Sequence, residues 1–159
     1  MAHSQPQGTG RSLPAGQKRL IIDLPFPVST NRIWRYGGLT YQGLIPKRKL
    51  VILSREYTQW KHEADTLFLT QKPNLVPLPR FEHFTIHIIF SSNLRRPNQD
   101  GDNLIKCILD WLQRAGLIEN DCFCDGGSWA WGEAPEGCRV ELFDPLTFLK
   151  IKKELEKGR

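Results

Sequence analysis

Phe84, Ile86, Ile88 and Phe90 recur at every second residue, with Thr85 and His87 between them, so this run has the period of a strand that buries one face. The stretches on either side have a different period. Tyr57, Trp60, Ala64, Leu67 and Phe68 recur at helical spacing, and Ser54 is placed to cap a helix from Arg55 to about Gln71, closed by Pro73, Pro77 and Pro79. Leu104, Ile105, Ile108, Leu109, Leu112 and Ala115 mark a second helical face, with Gly116 where a C-terminal cap belongs. A strand flanked by two helices, each with an apolar face to bury, confines the chain to folds in which helices pack against a sheet.

The shorter segments fill in the order. Leu20 to Leu24 is an apolar strand stopped by Pro25 and Pro27, and a basic loop then leads to a second short strand at Leu50 to Leu53. Cys122 to Trp131 reads as a weak strand through a Gly pair and Cys138 to Phe143 as a firmer one, after which Asp144 and Pro145 cap a terminal helix to about Lys157. The order β, β, α, β, α, β, β, α, without internal repeats, predicts a single α+β domain whose mixed β-sheet is packed with helices. A length of 159 residues suits one domain that buries its core without disulfides or structural metal. Residues 1–17, almost devoid of apolar side chains, read as a disordered leader or tag remnant, which leaves 18–159 as the domain. No apolar run approaches the ~20 residues of a spanning helix, so no membrane partner is expected. The start of the chain lacks the apolar segment of a signal peptide, and a cytoplasmic protein with reduced thiols is expected.

Charge is unevenly distributed. Residues 1–99 hold 14 Lys/Arg against 5 Asp/Glu, a balance of +9, whereas residues 100–159 hold 8 against 12, a balance of −4. A basic surface for phosphate beside an acidic cluster for cations is what a metal-dependent nucleic-acid enzyme needs, and a solvated surface of uneven charge is the plain alternative.

The acidic cluster begins with Asp100-Gly101-Asp102-Asn103, at the start of the second helix, and Lys106 follows one turn in. Asp102 is placed either to cap that helix, with Asp100 complementing its dipole, or to share with Asp100 a hard cation such as Mg²⁺ or Mn²⁺, Gly101 letting the backbone turn between them. Asp121, with Glu119 and Asp125 near it, supplies a third carboxylate if the chain after the helix runs back beside it.

The run Asp100-x-Asp102-Asn103-Leu104-x-Lys106-x-x-Leu109-Asp110-x-Leu112-x-x-x-Gly116 followed by Asp121 resembles the RusA-type Holliday junction resolvases, and Leu24-Pro25-Phe26-Pro27 with Asn31-Arg32 looks like that family's N-terminal strand and loop. The resemblance covers about Leu20 to Phe143. It implies a RusA-like fold and a homodimeric, Mg²⁺-dependent endonuclease, with Mn²⁺ as a substitute, that cuts four-way DNA junctions by paired symmetric phosphodiester hydrolysis. It carries metal binding to Asp100, Asp102 and Asp121 and an essential basic role to Lys106. Asn120 stands where members often have a second acidic residue. Two other functions are open to the same residues: a different phosphoryl-transfer enzyme built on a DxD pair, against which no glycine-rich phosphate loop precedes Asp100, and a DNA-binding protein without catalysis.

Contacts to branched double-stranded DNA are expected from Asn31, Arg32, Arg95 and Arg96, the last two because they lie only a few residues from Asp100. Lys47 to Lys49 and Arg35 are further basic candidates. Cys107, Cys122, Cys124 and Cys138 have poor spacing for zinc and read as free or buried thiols. His62, His83 and His87 lie within helix or strand patterns and read as structural. The apolar residues that pair two subunits are sought in Phe84 to Phe90 or at Trp111, Trp129 and Trp131.

Overall fold

The computed structural model describes residues 18–42 and 45–157. In chain order the elements are β1 (Arg19–Pro25), α1 (Thr30–Ile33), β2 (Trp34–Gln42), β3 (Ile45–Leu53), α2 (Arg55–Gln71), β4 (Phe84–Ser91), α3 (Asp102–Arg114), β5 (Cys124–Gly132), β6 (Gly137–Phe143) and α4 (Pro145–Lys157). Four strands form one sheet in the order β1-β6-β4-β5, and β2 and β3 form a separate antiparallel hairpin. β6 is antiparallel to both β1 and β4, while β5 runs parallel to β4. The fold is therefore α+β with a mixed sheet. No helix among the described residues is long and apolar enough to cross a membrane.

Local chemistry accounts for the element ends. The Ser54 hydroxyl accepts from the Tyr57 backbone N–H at 3.1 Å, so α2 starts where its cap demands. α3 ends at Gly116, whose φ of +74° lies in the left-handed region that favours glycine. Asp144 opens α4 by accepting from the N–H groups of Leu146 and Thr147, both at 3.1 Å. At Gly137 a β-carbon would lie 2.1 Å from the backbone nitrogen of Phe26, so only glycine fits between β6 and the chain leaving β1.

The core is continuous from sheet to helices, with Leu24, Phe84, Ile88 and Phe90 from the strands and Ala64, Leu104, Ile108 and Trp111 from α2 and α3. Gln71 clamps α2 onto β1, accepting from the Asp23 N–H and donating to the Asp23 carbonyl, each at 2.8 Å. Asp65 of α2 accepts from Trp111 Nε1 at 2.8 Å and from Arg114 at 2.6 Å, which ties α3 to α2 and satisfies the indole N–H of a fully buried ring.

Several expectations are corrected. The stretch expected to be a basic loop contains α1 and the whole of β2, and the strand expected at Leu50 begins at Ile45. β5 starts at Cys124 rather than Cys122, because residues Asp121–Phe123 wind into a single 3₁₀ turn. Neither Phe84–Phe90 nor Trp111 offers a surface for pairing subunits. β4 is flanked by strands on both sides, and Trp111 is buried between α2 and α3.

Candidate active site

Two backbone segments converge on α3. The first is Asp100–Asp102. Gly101 precedes the helix at φ −67° and ψ −31°, ordinary helical values, so the turn there does not need glycine's conformational freedom. What needs glycine is space: a β-carbon on Gly101 would lie 2.6 Å from Cε3 of the Trp129 ring. Gly101 is buried under that indole, and the carboxylates on either side of it are exposed. Asp102 is the first residue of α3, not its cap. Its Oδ1 accepts only from the adjacent Asn103 N–H, at 2.9 Å, and no side chain caps the helix. The capping explanation for Asp102 is thereby removed.

The second segment brings Asp121. Past Gly116 the chain turns back, the Phe81 N–H donating to the Leu117 carbonyl and the Glu119 N–H to the Phe81 carbonyl, each at 2.9 Å. Asn120 then starts the 3₁₀ turn by accepting from the Cys122 N–H at 3.0 Å, a capping role that asparagine fills well. From Lys106 to Arg114 α3 rises roughly 12 Å, and five extended residues after Gly116 reach roughly 16 Å, enough to return Asp121 to the level of Lys106. Lys106 Nζ donates to Asp121 Oδ2 at 2.6 Å and pairs with Asp110 Oδ1 at 2.7 Å. The two carboxylates hold the ammonium charged, with its pKa above the usual lysine range, and the hydrogen bond from Lys106 holds the Asp121 carboxyl below the usual carboxylate range.

The remaining predicted residues separate into two groups. A cleft of about 620 Å³ is lined by Asn31, Arg32, Arg96, Asp100 and Asn103 together with Glu56 and Glu63 of α2. Arg32 is held there by Glu56 at 2.9 Å, and the Thr30 hydroxyl donates to the Asn103 carbonyl at 2.9 Å, locking α1 to the first turn of α3. Glu56, Gln59 and Glu63, three and four residues apart, form one polar stripe of α2. That stripe was legible in the sequence, but nothing there tied it to Asp100. Arg95 points elsewhere: its guanidinium lies over the Trp131 ring, 5.0 Å from the centroid. Side chains of Lys47, Arg48 and Lys49 lie outside the described residues.

Among the described residues no three or more His, Cys, Asp or Glu side chains meet at one ion position. Asp100 opens onto the cleft, Asp102 heads α3, and Asp121 lies a turn further along beside Lys106. The donors are hard oxygens suited to Mg²⁺ or Mn²⁺, and two of the three are exposed. The thiols do not form a zinc site. Cys107 and Cys138 are buried, and burial pushes the Cys107 thiol up to about 12. His83 and His87 make local contacts, to Asp125 at 3.4 Å and to Ser128 at 2.8 Å.

No protein-family model matches the chain, and no curated protein is significantly similar to it.

Proposed function

We propose that the protein is a divalent-cation-dependent endodeoxyribonuclease of the RusA type, which resolves four-way DNA junctions. The observation that carries this reading is the return of Asp121 to α3, where it meets Lys106 one turn from Asp102: residues 15 positions apart in the motif are neighbours in space. A cation held by Asp100, Asp102 and Asp121 would activate water and stabilise charge on the phosphoryl oxygens. Lys106 supplies a positive charge that its carboxylate partners keep protonated throughout the neutral range. Arg32, Arg96 and Asn31 line the cleft beside Asp100 and suit phosphate contacts. Paired cuts on opposite strands of a two-fold junction call for two such sites, so the working form is a homodimer.

A second reading is a DNA-binding protein without catalysis. It is favoured by the ion pairs that tie Asp121 and Asp110 to Lys106 while the three candidate ligands remain apart. Incubating the protein with a labelled four-way junction and with linear duplex, in Mg²⁺, Mn²⁺ or EDTA, separates the two. Paired nicks in the junction with either cation and none in EDTA support the nuclease. Tight binding in EDTA with no cleavage in either cation supports the second reading, and neither binding nor cleavage sinks both.

A further inference from the structure

The β2–β3 hairpin has no place in the site just described. Its base is joined to the body where the Ser54 N–H donates to the Ile33 carbonyl at 2.8 Å. Beyond that base, Trp34 pairs with Leu53 and Tyr36 with Val51 across the ribbon, so these four side chains share one face. They are exposed: 58% for Trp34, 61% for Tyr36, 56% for Val51 and 39% for Leu53. Arg35 and Ile52, on the opposite face, are exposed as well. Among the described residues the base of the ribbon, Trp34–Tyr36 with Val51–Leu53, is thus exposed on both faces, and its aromatic and aliphatic face marks an interaction surface, because exposed apolar groups in a contiguous patch are rare without a partner.

Charge identifies the partner. Residues 24–55 contain six Lys/Arg (Arg32, Arg35, Lys47, Arg48, Lys49 and Arg55) and no Asp or Glu. A basic protein partner would be repelled by a segment of this charge. A polyanion would not. The aromatic side chains refine the choice further: Trp34 and Tyr36, two residues apart on one face, are spaced by roughly 7 Å and offer two platforms for successive unstacked bases. Trp34 also directly follows α1, whose Arg32 lines the cleft, so the ribbon leaves the body next to a cleft-lining residue.

We infer that the β2–β3 hairpin is a nucleic-acid-binding arm, on which unpaired bases stack against Trp34 and Tyr36 while Arg35 neutralises phosphates. The inference takes the class of partner from the function proposed above and does not depend on cleavage. In the junction reading the arm takes the unpaired bases at the branch point.

The test compares Trp34→Ala, Tyr36→Ala, their double variant, and Trp34→Phe with Tyr36→Phe as the aromatic control. Binding to a single-stranded oligonucleotide, a linear duplex and a four-way junction is measured in EDTA, with sedimentation to follow mass. Each alanine is expected to weaken single-strand and junction binding roughly tenfold or more, and phenylalanine to restore most of it. Arg35→Ala should flatten the slope of log affinity against log salt by roughly 0.7 on single strands. Unchanged binding by the double alanine variant, with the wild type binding DNA normally, overturns the arm and leaves the proposed function standing. A variant that falls from dimer to monomer at unchanged DNA affinity also overturns it, because the face is then a protein interface. A wild type that binds none of the three DNAs sinks the function itself, whereas binding through the arm without cleavage keeps the arm and sinks only the nuclease.

Discussion

Gly101 and Trp129 approach so closely that a single added carbon on the first would lie 2.6 Å from the indole of the second. The pair fixes where the two carboxylates on either side of Gly101 stand relative to β5. Trp129 is in turn tilted against Phe90 and set edge-on to Trp131, at centroid distances of 6.2 and 6.4 Å, so any retreat of this partly exposed ring disturbs both contacts.

Gly101→Ala is therefore expected to cost about 1–3 kcal/mol of stability through overpacking. In a Trp129→Ala background the same change should cost much less, since the clashing ring is gone. Urea unfolding of the four proteins in the cycle measures this. Equal costs in both backgrounds would mean that the indole is not what excludes a side chain at 101.

The Lys106–Asp121 pair carries a pH signature at each end. Asp121 has a folded-state pKa below its unfolded value, so its contribution is present above the ordinary carboxylate pKa and is lost as pH falls below it. Lys106 is raised, so its contribution is complete below the ordinary lysine pKa and lost only as pH rises above it. The pair is intact between about pH 4 and pH 10. Carboxyl-detected NMR titration should show the Asp121 midpoint moving up when Lys106 is replaced by Met, and an unchanged midpoint would contradict the bond.

For the proposed nuclease, Asp100→Asn, Asp102→Asn and Asp121→Asn should each lower single-turnover junction cleavage by orders of magnitude while binding persists or tightens. Lys106→Ala should do likewise, because its charge is needed mainly in the transition state. Stability should change by no more than about 1 kcal/mol in the Lys106 variant, whose ion pairs are solvent-accessible. Near-normal cutting by Asp102→Asn would remove the metal assignment.

Arg95 and Arg96, adjacent in sequence, should behave differently. Arg96 lines the cleft, so Arg96→Ala should flatten the salt dependence of duplex binding by about 0.9 per contact, or nearly ~2 in a symmetric dimer. Arg95 is spent on Trp131, so Arg95→Ala should leave the slope unchanged and cost about 0.5–1 kcal/mol of stability. Equal slopes for the two variants would show that this division is wrong.

Elements built on one dominant local signal were legible in the sequence. α2 begins at Ser54, α3 ends at Gly116, and β4 follows its period-two alternation, because caps and apolar spacing act over a few residues. β2 was not, since Gly37 and Gly38 interrupt its alternation and the register shifts between Tyr36 and Gly38. The parallel pairing of β5 with β4 was equally hidden. β5 is a glycine-containing edge strand without β-branched residues, and its partner is chosen by the whole sheet. In the site, the residue types were readable and their company was not. Meeting Lys106 requires Asp121 to be steered by backbone bonds to Phe81, and the sharing of one cleft by Glu56 and Asp100 depends on how α2 sits against the first turn of α3.

The strand order β1-β6-β4-β5 also sets a timetable for the growing chain. β1 has one sheet neighbour, β6, and the bridging pair Asp23 and Arg139 is 116 positions apart. At ordinary rates of synthesis, β1 leaves the ribosome on the order of ten seconds before the strand it must join. Until Gly137–Phe143 emerges, β1 and β4 have no strand between them, and the side-chain hydrogen bonds that hold β1 come from α2, through Gln71 and Trp60. The last strand to be made thus inserts between two earlier ones and completes the sheet in a single late step, a non-local closure of the kind that makes folding slow.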